Sequence, residues 1–390
     1  MAKGRIAKQA KTKLNMIIYG DTFTGKTTLA SQLAYFKRPE DGKPFRILYI
    51  DAETGGLDSY LDNMEASGID LNNIYILYTQ SLTEVRQYIA KVKNNEDLYE
   101  LDEDGYETDN VVVDSDGNPF RADAIIIDGA TILNLTTQSG LVEFSKKRNK
   151  VKADDAGLIG DARLVKIEGA GLEIKDWNTI KFKGQDLILD LMSSGVHCIT
   201  TCRETDEKQS VRTPDGQFTS ISTGKKIPEG FKGLEYNTNT VLRTFVDPET
   251  NQICAQVIKD RTGVHKLGEI IEDPTLLDWQ EAIDKTKDKA DFTIKNDLTK
   301  AVEVEQELYS REILGRAGVP VDESASTEDT TTPTNEADAL REEITTFIKG
   351  LTPPQKTEMK KKLTDANLPT AFKSVSDVAV LQKVLDTIKA

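Results

Sequence analysis

Cysteine and histidine are scarce in this chain of 390 residues, which has three cysteines and two histidines. So few thiols exclude a disulfide-stapled secreted scaffold and fit a reducing compartment. His197, Cys198 and Cys202 have the side-chain types of a metal site. They lie, however, in an apolar run that favours a buried strand, so we expect core packing there.

Long apolar runs are also missing. No stretch approaches the roughly 18 apolar residues that a membrane-spanning helix requires, and the first residues carry no apolar segment of a secretory signal. We therefore expect a cytoplasmic protein without a membrane partner. With 38% hydrophobic and 29% charged residues, the composition is typical of one large α/β domain with a smaller appendage.

Positive charge is in deficit, because 65 acidic residues against 50 lysines and arginines leave a net charge of −15. This balance excludes an overall electrostatic attraction to nucleic acid or to anionic membranes. Phosphate binding would then depend on local clusters, of which the basic arm at residues 1–12 and the run Lys146–Lys152 are two. Basic clusters of this kind are more often solvent-exposed segments than binding sites.

Against these deficits stands one phosphate-binding motif, the P-loop pattern G-x-x-x-x-G-K-[ST]. It is formed by Gly20, Asp21, Thr22, Phe23, Thr24, Gly25, Lys26 and Thr27, with Thr28 next. An apolar strand pattern precedes it and a helical pattern follows, which is the setting in which backbone N–H groups wrap phosphates. Lys26 is expected to reach the β- and γ-phosphates of ATP, and Thr27 to hold Mg²⁺. An ordinary glycine-rich turn is the alternative.

A P-loop also needs an acid on a neighbouring strand to position the metal. The run Ala124-Ile125-Ile126-Ile127-Asp128 has this form, so Thr27 and Asp128 are the predicted Mg²⁺ pair. Hydrolysis requires a further carboxylate that orients or deprotonates the attacking water. Many ATPases place a glutamate directly after the metal-positioning acid, but Gly129 stands there in this chain.

Another strand pattern ends in Asp51-Ala52-Glu53 and is followed by Leu57-Asp58. This stretch, together with Gly68-Ile69-Asp70-Leu71-Asn72-Asn73-Ile74, resembles RecA-type recombinases. The resemblance implies that Glu53 is the catalytic base, which makes Lys26, Glu53 and Asp128 the catalytic set of an ATPase. A loop acid without a catalytic role is the alternative at position 53.

A second point of resemblance lies at the end of a late strand, where Lys259 and Arg261 stand one residue apart. RecA-type proteins have such a cation pair, which touches the γ-phosphate held by the neighbouring subunit of a filament. The resemblance therefore implies a homo-oligomer in which these cations act across the interface. A basic strand end on the surface is the alternative.

Residues 205–235 are rich in Gly, Ser, Thr and Lys and predict a long loop, where RecA-type proteins have their second DNA-binding loop. Cations interleaved with aromatic rings suit single-stranded DNA. The predicted nucleic-acid-binding residues are Lys208, Arg212, Lys225, Lys226, Lys232, Phe218 and Phe231. A solvated loop is the alternative. The preceding strand lacks the glutamine or asparagine usual in this family, and Arg203 is a candidate substitute.

Strand and helix patterns alternate through residue 205, which predicts an α/β fold with a mostly parallel sheet. We expect a RecA-like ATPase core at 13–272 with a hairpin insertion at 95–120. A polar helical extension at 273–317, an acidic linker at 318–337 and a three-helix module at 338–390 are predicted to follow. The module is a candidate site for a partner protein.

The features together resemble the phage-encoded RecA-like ATPases that are grouped with single-strand annealing proteins. The predicted function is ATP hydrolysis, with ATP and Mg²⁺ as cofactors, coupled to single-stranded DNA in recombination. Two alternatives stay open: a helicase or helicase loader, and a nucleotide-gated interaction protein without significant turnover.

Overall fold

The structure of the chain is a computed structural model that describes residues 13–213, 215–285 and 378–389. It also describes the isolated residues Gln306, Ile344, Phe347, Lys362, Leu363 and Ala366. The chain divides into two compact units, Met1–Val304 and Glu305–Ala390. None of the described helices has the length and apolar character needed to cross a membrane.

Strands and helices alternate through the first unit. The strands are β1 (Asn15–Gly20), β2 (Ile47–Asp51), β3 (Ile74–Tyr78), β4 (Tyr99–Leu101), β5 (Glu107–Val111), β6 (Ala124–Asp128), β7 (His197–Arg212), β8 (Phe218–Pro228), β9 (Thr240–Val246), β10 (Ile253–Asp260) and β11 (Ile270–Glu272). The helices are α1 (Lys26–Ser31), α2 (Leu61–Ala66), α3 (Leu82–Asn94), α4 (Ala130–Asp155), α5 (Gly160–Glu168), α6 (Ile174–Ser193), α7 (Leu234–Asn237) and α8 (Gln280–Asp284).

The sheet has the order β11-β10-β9-β1-β7-β6-β2-β3, with β8 paired to β7 outside this path. The strands from β9 to β3 are parallel, whereas β10 and β11 are antiparallel additions at one edge. β7 lies between β1 and β6, so Ile17 pairs with Thr200 and Ile126 pairs with Ile199. The prediction of an α/β fold with a mostly parallel sheet is confirmed.

The central strands are apolar without alternation because both faces of the sheet are covered. Every residue of β2 and β6 is buried, as expected for parallel strands between two helical layers. Ile17, Leu48 and Ile125 face a core that includes α3 and α6. Ile18 and Ile126 face the opposite core, which includes α1. The two cores keep the carboxyl ends of β1, β2 and β6 at the same edge of the sheet.

The predicted loop at 205–235 is wrong, because most of it is a β-hairpin. β7 continues to Arg212 and pairs antiparallel with β8, from Glu204 opposite Pro228 to Arg212 opposite Phe218. Threonine, valine and isoleucine favour strands here. Where the two strands approach each other, Thr213 N–H donates to the Gln217 carbonyl and Gly216 has a φ of +84°. Both faces are largely exposed, so the apolar alternation that signals a strand is missing.

The predicted core end at residue 272 is too early. Leu276, Trp279 and Ile283 are buried in the same core as α1, so the core continues to at least α8. The insertion at 95–120 contains the expected hairpin, formed by β4 and β5. The basic arm at 1–12, the linker at 318–337 and the end of the polar extension lie outside the described residues.

One helix of the predicted C-terminal module is present. It spans Val378–Lys389 and buries Leu381, Val384, Leu385 and Ile388. The apolar spacing that marked this helix in the sequence is thus confirmed. Most residues of the other two predicted helices lie outside the described part of the chain.

Candidate nucleotide-binding site

The P-loop joins the carboxyl end of β1 to α1, and glycine is required at both of its ends. A Cβ on Gly20 would collide with the carbonyl oxygen of Thr244 on the adjacent β9. Gly25, directly before α1, has a φ of +78° in the left-handed region that disfavours other residues. Between them, the Thr24 hydroxyl donates to the Asp21 carbonyl at 2.9 Å. The sequence pattern therefore folds into a tight, internally bonded loop.

The Lys26 ammonium lies on this loop, where its Nζ donates to the Asp21 carbonyl at 2.6 Å. Burial lowers the pKa of Lys26, while the nearby charges of Glu53 and Asp128 raise it in opposition. The two carboxylates thus partly offset the cost of desolvating the Lys26 ammonium. A cation in that environment suits binding of phosphate oxygens.

Asp128 is the centre of a cluster of hydroxyl donors below the P-loop. Its carboxylate is buried, and its Oδ2 accepts from Thr27 Oγ1 at 2.9 Å and from the Tyr49 hydroxyl at 2.6 Å. Its Oδ1 accepts from Thr201 Oγ1. Burial raises the pKa of Tyr49 far above its usual range, so Tyr49 stays a donor.

The Thr27 hydroxyl and the Asp128 carboxylate provide the oxygen ligands and negative charge that Mg²⁺ prefers. They face each other across the hydrogen bond just described, although 101 positions separate them in sequence. The residues present therefore fit the predicted metal pair, with Thr27 and Asp128 as the groups that would hold it.

Glu53 is placed by a turn that Asp51 organises. The buried Asp51 carboxylate accepts from the backbone N–H groups of Glu53 at 2.9 Å, Gly55 at 2.8 Å and Gly56 at 3.0 Å. The Glu53 side chain reaches toward β7, where its Oε1 accepts from Arg203 at 3.3 Å. Asp51 was not among the site residues predicted from the sequence. Its position at the end of an apolar strand, shortly before Gly55 and Gly56, could have indicated an acid that accepts hydrogen bonds from the following turn.

A cleft of about 460 Å³ brings the predicted nucleotide residues together. Thr22 through Thr28 line one side, and Glu53, Gly55, Gly56, Ser59, Tyr60 and Arg203 line the other. Lys26, Thr27 and Glu53 thus share one cavity, with Asp128 joined to it through Thr27. Phe23 stands at its rim, 91% exposed and with a φ of +59°.

Lys259 and Arg261 lie at the amino ends of the parallel strands, whereas the P-loop of their own chain follows the carboxyl end of β1. β10 runs antiparallel to β9, so Asp260 pairs with Thr240 at the start of β9 while Ile253 pairs with Val246 at its end. Lys259 Nζ donates to the carbonyls of Glu235 and Tyr236, both at 2.9 Å. Burial, reinforced by the Arg261 charge, lowers the pKa of Lys259.

The hairpin cations predicted to bind nucleic acid face acids of the same hairpin. Lys226 pairs with Asp206 at 2.9 Å and Glu204 at 3.8 Å, and Lys225 pairs with Glu207 at 3.6 Å. These pairs reduce the net positive charge that the hairpin presents. Lys208, Arg212 and Lys232 are exposed on or beside it.

Of the two predicted stacking rings, only Phe218 is accessible, with 76% exposure. The prediction for Phe231 is wrong, because its ring is buried against α6. A Cβ on Gly184 would lie 2.7 Å from that ring, so the glycine is what makes room for it. Phe231 follows the hairpin and anchors it to the core, a role that its apolar character alone did not distinguish from stacking.

The second basic cluster, Lys146–Lys152, lies on α4. Lys146 pairs with Glu168 at 2.9 Å and Arg148 pairs with Asp176 at 2.6 Å. These ion pairs join α4 to α5 and α6, so the cations serve helix packing in the first instance.

No protein-family model and no curated protein sequence matches this chain. Among solved structures, a KaiC-like protein of the hyperthermophilic archaeon Pyrococcus horikoshii is similar with a TM-score of 0.36 and 15% identity. That similarity covers 68% of this chain and 93% of that one. The RadB recombinase is similar with a TM-score of 0.35 and 16% identity, over 67% and 87% of the two chains. At these values neither likeness identifies a family or an activity.

Proposed function

We propose that this chain is an ATPase that binds ATP with Mg²⁺ in the P-loop cleft and hydrolyses it with Glu53 as the base. The observation that carries the proposal is the meeting of Lys26, Thr27, Glu53 and Asp128 at one place from three separate strand ends. These are a phosphate-binding cation, a metal-holding pair and a carboxylate for the attacking water, the parts that phosphoryl transfer needs.

Each residue then has one task. Lys26 neutralises phosphate charge, and bound Mg²⁺ would supply further neutralisation between the phosphates. Thr27 and Asp128 would hold that metal, while Glu53 orients water and accepts its proton. Arg203 holds the Glu53 carboxylate at the cleft, because its guanidinium bonds Oε1.

Two substitutions test the assignment. Lys26→Ala should abolish nucleotide binding or turnover, since it removes the cation on the loop. Glu53→Gln should bind ATP as well as the parent but hydrolyse it more slowly by roughly 10² or more. Matched controls are Lys37→Ala and Glu65→Gln, exposed residues away from the cleft. Parental ATPase activity in purified Lys26→Ala would reject the P-loop site, and an active Glu53→Gln would reject Glu53 as the base.

We further propose that ATP hydrolysis is coupled to single-stranded DNA, as an annealing or strand-exchange activity in recombination. Two features of the β7–β8 hairpin support this proposal. Arg203, at the base of the hairpin, contacts Glu53, and the strands of the hairpin carry cations and the exposed Phe218. Single-stranded DNA should therefore raise the ATPase rate of the parent protein. An unchanged rate across a DNA titration that saturates binding would contradict the coupling.

A homo-oligomer forms part of the same proposal. Lys259 and Arg261 lie at the amino ends of the parallel strands, whereas the P-loop follows the carboxyl end of β1. This separation supports a role at the P-loop of a neighbouring subunit. Cations supplied in this way neutralise transition-state charge only when the oligomer forms.

A further inference from the structure

The Tyr49 hydroxyl is a polar group at the end of an otherwise apolar, fully buried side chain. Tyr49 is the third residue of β2, and only 1% of it is exposed. It pairs with Ile126 on β6, two positions before Asp51 pairs with Asp128. A buried tyrosine needs a partner for its hydroxyl, and here that partner is Asp128 Oδ2 at 2.6 Å.

The Asp128 carboxylate has about four acceptor positions, and three of them are used. Tyr49 and Thr27 converge on Oδ2, whereas Thr201 takes one position on Oδ1. Two donors on one oxygen define its direction, because rotation of the carboxylate would break both bonds. Oδ2 is therefore held against the Thr27 hydroxyl on the first turn of α1.

We propose that Tyr49 is a positioning residue for the metal-holding pair: its hydroxyl fixes Asp128 Oδ2 on the Thr27 hydroxyl in advance of Mg²⁺ binding. This inference rests on the proposed ATPase function and goes beyond it. The aromatic ring of Tyr49 fills the core, which phenylalanine would do equally well. The hydroxyl is therefore needed for the carboxylate and not for packing.

The proposal separates two components of nucleotide affinity. Phosphate binding by the P-loop backbone and Lys26 does not involve Asp128, so it persists without the Tyr49 hydroxyl. The component that Mg²⁺ adds depends on the preset geometry of Thr27 and Asp128. Loss of the Tyr49 hydroxyl leaves the carboxylate held by Thr27 on Oδ2 and Thr201 on Oδ1. The carboxylate is then less strictly oriented, so Mg²⁺ binding has to order it and the metal-dependent gain in affinity falls.

The test compares Tyr49→Phe with a matched control, Tyr19→Phe. Tyr19 is equally buried on β1 of the same sheet, but its hydroxyl donates to the Lys226 carbonyl at 3.1 Å and not to Asp128. A non-hydrolysable ATP analogue is titrated with Mg²⁺ and with EDTA, and thermal unfolding is recorded without ligand. The gain in affinity from Mg²⁺ should fall about tenfold in Tyr49→Phe, as expected when one hydrogen bond to a charged group is removed, and stay parental in Tyr19→Phe.

A double-mutant cycle then asks whether Tyr49 acts through Asp128. In an Asp128→Asn background, Tyr49→Phe should cause no further loss of the Mg²⁺ effect. An unchanged Mg²⁺ effect in Tyr49→Phe, an equal loss in Tyr19→Phe, or an unfolded Tyr49→Phe protein would overturn the inference alone. A parent protein that binds no nucleotide would overturn the proposed function as well.

Discussion

Glu53 occupies the space in which a side chain at position 129 would begin. A Cβ on Gly129 would lie 2.5 Å from Glu53 Cγ, and Gly129 itself has a φ of +95°. Its N–H donates to Thr201 Oγ1 at 2.9 Å, which fixes the turn after β6. The absence of a side chain at Gly129 therefore makes room for the Glu53 carboxylate, which comes from the turn after β2.

Gly129→Ala should impair turnover more than nucleotide binding. The new methyl group would displace Glu53, so we expect kcat to fall by at least about tenfold, with about 1 kcal/mol of destabilisation from the positive φ. Gly105→Ala is the control, because Gly105 has a φ of +83° but nothing within 4 Å of an added Cβ. Steady-state kinetics and thermal unfolding measure both effects. Equal kcat in the two variants would contradict a role for the close approach of Glu53 to Gly129.

Two variants should lose ATPase activity yet keep ATP binding: the single variant Arg261→Ala and the double variant Lys259→Ala with Arg261→Ala. Arg261→Ala is the cleaner of the two, since Lys259 also bonds the carbonyls of Glu235 and Tyr236. Mixing either variant with Lys26→Ala subunits should restore some activity, because each supplies the half-site that the other lacks. Activity that neither depends on protein concentration nor recovers on mixing would rule out action across an interface.

Neutralising Lys225, Lys226 and Lys232 to glutamine should weaken binding of single-stranded DNA. The log–log dependence of affinity on salt should flatten by roughly 0.7 for each DNA phosphate that a lysine no longer neutralises. Lys225 pairs with Glu207 and Lys226 pairs with Asp206. The double variant Asp206→Asn, Glu207→Gln should therefore have the opposite effect and bind single-stranded DNA more tightly. Glutamine at Lys37, Lys43 and Lys91 is a charge-matched control. Identical salt titrations for all variants would move the search to Lys146–Lys152 and the N-terminal arm.

A chain ending at residue 304 should keep basal ATP hydrolysis within about twofold of the parent. The removed part, Glu305–Ala390, is a separate compact unit, and few contacts are expected across an acidic linker. Its loss should instead change binding of a partner protein or access of DNA, as a tethered module can cap a surface. A truncated protein that cannot fold or bind ATP would show that the module belongs to the core.

The local parts of the site were predictable from the sequence. The P-loop is a contiguous motif whose glycines, lysine and threonine have their roles within a few residues of chain. The central strands were predictable for a related reason, because burial on both faces turns them into short apolar runs that end in acids. Asp128 could be found in this way before any strand pairing was known, whereas Glu53 was assigned from the resemblance of Asp51-Ala52-Glu53 to RecA-type recombinases.

Other features depended on which segments meet. The β7–β8 hairpin escaped prediction because both of its faces contact water, so its residues show no apolar alternation. The sequence predicted an exposed ring for Phe231, but the ring is buried against Gly184, which lies far from it in the sequence. The Tyr49 hydroxyl meets Asp128 through the register of β2 against β6, and the Glu53 side chain meets Arg203 because β7 lies beside β6. An apolar run determines that a strand forms, but the pairing of strands distant in sequence decides which polar groups share one site.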